Sequence, residues 1–382
     1  MSEVQLSLNS VDKTYYGKKI EAAVRAVKNL SLQISKGEIV ALLGSSGCGK
    51  TSTLRMIAGF EDVTGGTIQL SNREIQQLPP AKRNVAMAFE GYSLYPPLTV
   101  RDNIAFALKA ERISRSESDA KVMEMAKFLE IEEILDRYPS SISAGQQQRA
   151  SLARALVRKA DLYLLDEPMG QLEPQLRSVL RVRLKQYLQE HEMTTVLVTH
   201  DQTEANALAD RIAVMEDGEL QQFETPTQLK HRPANIYVGT FIGEPPMNTF
   251  AAQVKPVGKG FQFQLEETGE LLDYQAVDFQ QSLSDQLIQH KRIVLGLRPH
   301  AVKLGKGALQ AQVISNQWLG DQSHIAAEFA NRIIVAVSHQ REGFQLDENV
   351  PFHLEAEDLH FFDAENGNAI AHGLEMSLWI FF

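Results

Sequence analysis

Gly44-Ser45-Ser46-Gly47-Cys48-Gly49-Lys50-Thr51 is a run of small residues ending in a lysine and a hydroxyl. Glycines at this spacing let backbone N–H groups turn inward on an anion, which is the chemistry of a phosphate-binding loop. An apolar run at 39–43 precedes the loop and an amphipathic stretch at 52–58 follows it. That is the strand–loop–helix setting such a loop requires, and the helix N-terminus adds positive potential. In this setting Lys50 reaches the β- and γ-phosphates of a nucleoside triphosphate, and Thr51 offers its hydroxyl to Mg²⁺. A glycine-rich turn with no ligand is the plainer alternative, and the flanking elements weigh against it. Cys48 reads as a small residue that fits the loop, in preference to a redox switch.

Three further groups could complete that chemistry. Leu162-Tyr163-Leu164-Leu165-Asp166-Glu167 is an apolar strand ending in two carboxylates. Asp166 suits the shell of a Mg²⁺ ion through water, and Glu167 suits a general base that polarises an attacking water. Strands often end in acidic residues, so the pair gains meaning only beside the phosphate loop. Ser143-Ala144-Gly145-Gln146 opens a helical pattern over 147–159 in which Leu152, Ala153, Leu156 and Val157 share a face. Ser143 stands near the N-cap, and the N–H groups beyond it could meet an anion; an ordinary helix start has the same form. His200 follows the apolar strand at 196–198, a place where an isolated histidine is more often structural.

These groups need a scaffold that brings strand ends together. Apolar runs at 38–44, 161–167, 194–200 and 211–218 alternate with helix-period segments, the rhythm of buried parallel strands with crossover helices. Residues 101–140 differ: Val122, Met125, Ala126 and Leu129 recur at helical spacing without a strand between them. The expectation is an α/β domain over 1–236 carrying a helical subdomain at about 91–155. After Tyr237 the texture shifts to short β-rich runs such as 292–297 and 332–337, with Pro245-Pro246 near the junction. A second, all-β domain is expected over 237–382. One phosphate loop and no internal repeat make the chain a half-unit.

Composition narrows the partners. The chain has 382 residues, 43% apolar and 23% charged, enough for two or three cores. A net charge of −10 with no basic block argues against nucleic acid as a partner. The single cysteine forms no internal disulfide and the first residues lack the basic-then-apolar run of a signal peptide, so the expected compartment is the cytosol. No stretch approaches the ~20 apolar residues of a spanning helix, so any membrane pore lies on other chains.

Ser143-Ala144-Gly145-Gln146, followed by Gln147-Gln148-Arg149 and then the 162–167 strand, resembles the LSGGQ motif of ABC ATPases. Thr199-His200-Asp201 is similar to that family's switch-histidine motif, which implies an imidazole contact to the γ-phosphate. Glu90, in Met87-Ala88-Phe89-Glu90, stands where the family has its Q-loop glutamine, and Gly170-Gln171-Leu172-Glu173 occupies the D-loop. Tyr15 sits where these ATPases stack an aromatic on adenine, and the adjacent Tyr16 is one alignment step away. The 239–248 segment and Gly296-Leu297-Arg298-Pro299-His300 look like motifs of the importer ATPases that serve maltose, glycerol-3-phosphate and related solutes.

The resemblance implies a P-loop NTPase with a RecA-like core and inserted helical subdomain, and a C-terminal OB-like (TOBE-type) regulatory β domain. It implies ATP and Mg²⁺ as cofactors, with Glu167, His200 and Glu90 catalytic and with Thr51, Asp166 and Glu90 near the metal. The phosphate loop of one subunit would face Ser143-Ala144-Gly145-Gln146 of a second ATPase subunit, identical or not. Two transmembrane permease subunits and, indirectly, an extracytoplasmic solute-binding protein complete the implied partners. The chain would lie peripherally on the cytoplasmic face of the inner membrane. A groove flanked by Glu90 and residues 92–98 would accept a short permease helix, with Tyr92, Tyr95, Pro96 and Pro97 as contacts or as subdomain packing.

Three positions depart from the family pattern: Glu90 for glutamine, Ala144 for glycine and Glu173 for aspartate. They are the support for a regulatory subunit that binds ATP without turning it over. Lys50, Asp166, Glu167 and His200 are all in place, so hydrolysis is expected. A soluble ABC protein of DNA repair or translation fits the acidic charge and the later motifs poorly. The solute expected by resemblance is a sugar, polyol or glycerol phosphate, with polyamine, iron or sulfate as alternatives.

Overall fold

The computed structural model describes residues 3–17, 23–89, 93–257, 260–274, 286–287 and 289–373. The chain forms two compact units, Met1–Pro226 and Thr227–Phe382. Glu90 and Tyr92, two residues singled out above, lie outside the described residues.

In the first unit, β1 (Val4–Tyr15) and β2 (Val24–Ser35) precede β3 (Ile39–Gly44), α1 (Lys50–Ala58), β4 (Gly65–Leu70), β5 (Arg73–Glu74) and β6 (Val85–Ala88). Three helices follow, α2 (Val100–Phe106), α3 (Arg115–Phe128) and α4 (Ala144–Leu156). The unit closes with β7 (Leu162–Asp166), α5 (Pro174–Glu190), β8 (Thr195–Val198), α6 (Gln202–Leu208), β9 (Arg211–Glu216) and β10 (Glu219–Glu224). The larger sheet runs β10-β9-β3-β8-β7-β6. Its pairs from β9 to β6 are parallel, with Ile39 opposite Thr195 and Tyr163 opposite Thr195 on the other side of β8. Every residue of β3, β7 and β8 is buried, which is why these strands read as unbroken apolar runs and not as alternation.

The strand order has a direct consequence for chemistry. β3, β8 and β7 are neighbours, so their carboxyl ends lie side by side, and those ends carry the phosphate loop, His200 and Glu167. Crevices at the carboxyl ends of parallel strands are where open α/β sheets bind ligands.

The helices of the inserted stretch have local start signals. Thr99, Ser114 and Ser143 cap α2, α3 and α4, each accepting a backbone N–H from three residues on. Val122, Met125 and Ala126 are buried, as their spacing requires. A second sheet, β2-β1-β4-β5, is antiparallel in every pair. It is not among the elements expected above, although residues 4–8 alternate apolar and polar.

The second unit begins with short helices, α7 (Pro226–His231, which starts on the last residue of the first unit) and α8 (Ile236–Phe241). Ten strands follow: β11 (Asn248–Val257), β12 (Gly260–Leu265), β13 (Leu271–Tyr274), β14 (Arg292–Leu297), β15 (Lys303–Trp318), β16 (Ser323–Phe329), β17 (Arg332–Ser338), β18 (Asn349–His353), β19 (Leu359–Asp363) and β20 (Ala369–His372). They form two antiparallel sheets, β13-β12-β11-β14-β19-β20 and β17-β16-β15-β18. One aromatic-rich core serves both, with Phe263, Phe352 and Phe361 fully buried. Arg298, from the 296–300 motif, is a structural tie. Its buried guanidinium donates to the carbonyls of Gly239 (2.7 Å), Lys230 (2.9 Å) and Ile242, and burial pushes it down to about 10.

Candidate functional site

Close approach enforces the phosphate loop's composition. Gly49 has φ +101°, and a Cβ there would stand 2.3 Å from the Ala26 carbonyl oxygen; at Gly44 it would stand 2.2 Å from that of Met215. Only glycine fits either place. Lys50 is buried, and its Nζ donates to the carbonyls of Gly44 (2.8 Å) and Ser45 (2.9 Å), so the ammonium lies folded over its own loop. Cys48 is buried with its thiol pushed up by burial, consistent with an inert packing role.

A cleft of about 350 Å³ opens above this loop. Ser46, Gly47, Lys50 and Thr51 line one side; Glu167, His200, Gln148 and the Gly170–Gln171 turn line the rest. Glu167 carries φ +47°, a left-handed conformation that a residue with a side chain adopts only when its surroundings impose it. Its N–H is tied to the Val198 carbonyl at 2.9 Å, and its carbonyl accepts from Gln148 Nε2 at 2.6 Å. Gln148 Oε1 in turn accepts the Gln171 N–H at 2.8 Å, so one buried amide clamps both the Glu167 turn and the following loop. The Glu167 carboxylate faces His200, with Oε1 2.9 Å from Nδ1. The His200 side chain is 75% exposed and stands free to meet a ligand.

The remaining predicted residues divide. Asp166 is buried at the end of β7, next to Glu167. Tyr15 does not line the cleft; its hydroxyl meets Ser52 Oγ at 2.9 Å and Glu61, which sets its half-exposed ring beside α1. Ser143, Ala144, Gly145 and Gln146 also stand outside the cleft lining. Ser143 and Gln146 form a reciprocal capping box, each side chain accepting the other's N–H, at 3.3 and 3.0 Å. The N–H groups of Ala144 and Gly145 have no partner within the helix by its geometry. Ala144 lies in regular helix without positive φ, so its Cβ adds no backbone strain. Gly145 has less room: a Cβ would sit 3.2 Å from the Gln171 carbonyl oxygen.

Sequence reasoning met Gln148 and Thr199 only as members of motifs, without a role of their own, and passed over Glu204. Gln148 falls on the buried side of α4 with Ser151, Leu152 and Ala155, and Glu204 on the buried side of α6 with Ala205 and Leu208. A polar residue at an apolar position of a helical period was the available signal. A second cavity of about 360 Å³ lies apart from the loop, lined by Phe60, Met87, Phe89, Tyr95, Phe106 and Arg154 among others.

Comparison with known proteins agrees with this geometry. The ABC transporter family pattern matches residues 27–170 and the TOBE domain pattern matches residues 295–362. The sulfoquinovosyl glycerol transport ATP-binding protein of Agrobacterium fabrum is 35% identical over 96% of this chain and 99% of its own length. The sn-glycerol-3-phosphate import ATP-binding protein of Vibrio vulnificus is 37% identical over 94% of each chain. Among solved structures, a dimeric ATP-binding cassette in a post-hydrolysis state with ADP and Pi superposes with a TM-score of 0.54. It is 30% identical and covers 58% of this chain and 98% of its own. A cleft built of phosphate loop, Glu167 and His200, on a chain matched over 94% or more of its length by transport and import ATP-binding proteins, places the protein in the ABC transporter family as an ATP-hydrolysing, energy-coupling subunit.

Proposed function

We propose that this subunit drives import of a glycerol-linked sugar or glycerol phosphate, through a dimer that clasps ATP between subunits. The observation that carries the ATPase chemistry is the convergence of Lys50, Thr51, Glu167 and His200 on one cleft at the carboxyl ends of β3, β7 and β8. Lys50 exchanges its loop carbonyls for terminal phosphate oxygens. Glu167 accepts the proton of the attacking water, and His200, oriented by Glu167 through Nδ1, presents its other nitrogen toward the γ-phosphate. The Thr51 hydroxyl lines the cleft and the Asp166 carboxyl lies buried at the end of β7, next to Glu167; hard oxygen donors of this kind fit Mg²⁺. The described residues hold no cluster of three ligating side chains, and Mg²⁺ ordinarily takes one or two carboxylates together with substrate phosphates. Bound there, Mg²⁺ would neutralise charge on the phosphates. Glu90 is proposed beside it.

The position of Ser143, Ala144, Gly145 and Gln146 outside their own chain's cleft supports a role toward a second subunit's nucleotide, with the Ala144 and Gly145 N–H groups meeting phosphate. Tyr15 is proposed beside the adenine, held by Ser52. Among the described residues no helix is long and apolar enough to cross a membrane. Two permease subunits are proposed to supply the path, and the cavity of Phe60, Phe89, Tyr95 and Phe106, which Arg154 and Arg158 also line, is proposed to seat a permease helix, with this subunit on the cytoplasmic membrane face. Residues 1–236 are proposed as the ATPase domain and 237–382 as the regulatory domain.

The solute reading rests on the two relatives named above. Purifying the intact complex through this chain and reconstituting it in vesicles tests it. Uptake of sn-glycerol 3-phosphate or a glycerol glycoside, dependent on ATP and lost in Lys50→Ala, is expected. ATP-dependent uptake of a polyamine, iron or sulfate instead would overturn the solute assignment while leaving the ATPase intact.

A further inference from the structure

The first turn of α6 buries a carboxyl group that the hydrolytic chemistry above does not use. Glu204 is 2% exposed on a face it shares with Ala205 and Leu208. Its Oε2 accepts the Thr199 hydroxyl at 2.8 Å, and Thr199 is fully buried. The Thr199 Oγ1 accepts the Asp201 N–H at 3.0 Å, and the Asp201 Oδ1 accepts the Glu204 N–H at 3.0 Å. These three bonds close a ring around residue 200. Both neighbours of His200 are pinned, Thr199 fully buried and Asp201 partly so, while the His200 side chain is exposed and meets Glu167 at 2.9 Å.

We propose that Glu204 is a positioning residue for ATP hydrolysis, whose buried carboxyl holds the Thr199 hydroxyl and thereby sets where the His200 imidazole stands against Glu167. The inference rests on the assignment of Glu167 and His200 to hydrolysis. Without Glu204, Thr199 keeps a buried hydroxyl with no acceptor, a cost the segment escapes by moving outward and taking His200 with it.

The charges around Glu204 make this device sensitive to pH. Glu167 at the end of β7 and Asp201 at the start of α6 face it with like charge, and Arg177 of α5 opposes them, itself 3.5 Å from Asp201. Lys185, also on α5, is engaged at the far end of α6 by the Ala207 carbonyl. Glu204 Oε1 is buried with no hydrogen-bond partner. Burial first, then Glu167 and Asp201, push this carboxyl up to about 7. The protonated acid suits the site; the carboxylate puts a third negative charge, with one bare oxygen, into a buried cluster. Deprotonation adds repulsion from Glu167 and Asp201 that the Thr199 bond, stronger to a carboxylate, offsets only in part, and so loosens the segment that carries His200.

Steady-state ATPase kinetics of the full chain from pH 6 to 9 test this. Wild-type kcat should fall severalfold above about pH 7 with little change in the KM for ATP. Glu204→Gln, neutral at every pH and still an acceptor for Thr199, should lose that alkaline fall. Glu204→Leu and Thr199→Val should each lower kcat by ~10-fold or more across the range, leaving KM within about twofold. Their combination should be no worse than the poorer single variant, because both break one bond. A Glu204→Gln profile parallel to wild type, or wild-type kcat in Glu204→Leu, would overturn the proposal. If Glu204→Leu does not fold, the Glu204→Gln profile decides alone. Glu167→Gln serves as the control: wild-type turnover there would show that the assignment of the base, and not of Glu204, had failed.

Discussion

Glu167 and His200 stand where the packing of neighbouring side chains puts them. A left-handed glutamate at the end of β7 is held by Gln148, and an exposed histidine after β8 follows Thr199, whose buried hydroxyl bonds Glu204. Glu167, the proposed base, is the simplest residue to test. Glu167→Gln keeps size and hydrogen bonding but removes proton acceptance, so turnover should fall by roughly 10²-fold or more while ATP binding persists. Nucleotide binding and phosphate release, measured separately, check both halves. Glu204 also carries a stability signature. Its folded value of about 7 lies above the ordinary 4.5, so it contributes stability that is complete below about 4.5 and lost as pH rises through about 7. Glu204→Gln does not titrate, so its melting temperature relative to wild type should climb between pH 5 and 9. A constant difference across that range would contradict the buried titration.

At the scale of elements, α4 connects two tasks. Its first turn presents the Ala144 and Gly145 N–H groups outside the cleft, and one turn later Gln148 reaches the Glu167 carbonyl inside it. The helix start therefore cannot shift without disturbing Glu167. Gly145 is the tight point of that packing, so Gly145→Val should press α4 off the Gln171 carbonyl and lower kcat by more than ~10-fold. Circular dichroism and nucleotide binding should show the fold retained. Ala144→Gly should change turnover by less than about twofold, since its N–H and helical backbone are the same. The departure at 144 thus gives no structural support to a non-hydrolysing subunit.

For the whole molecule, two units divide the labour. Every described group placed at the phosphate cleft precedes residue 227, and the second unit has its own aromatic core. A chain ended after residue 236 should therefore fold and bind ATP with affinity within about threefold of the full chain, because no cleft contact is lost. Equilibrium binding of a fluorescent nucleotide provides the check; a folded but non-binding product would refute the division. The second unit is then available for dimer persistence or regulation.

Local sequence determined the phosphate loop, the strand that delivers Asp166 and Glu167, the helix cap at Ser143 and the change to β texture in the C-terminal part. Each of these is written in contiguous residues: glycines at fixed offsets, an apolar run ending in acids, a hydroxyl three residues before a glutamine. The antiparallel sheet of β1 and β2 was legible from the alternation at 4–8, but the segment lacks a chemical motif to draw attention to it. Tertiary structure alone decided what lies next to what. The order β3-β8-β7 brings the loop together with a glutamate and a histidine that lie more than a hundred residues further along the chain, and the pairing of parallel strands through crossovers leaves no contiguous trace. The same holds for Gln148 and Glu204. Their types suggest surface residues, and only packing, which buries them against a strained glutamate and a buried threonine, gives them their work.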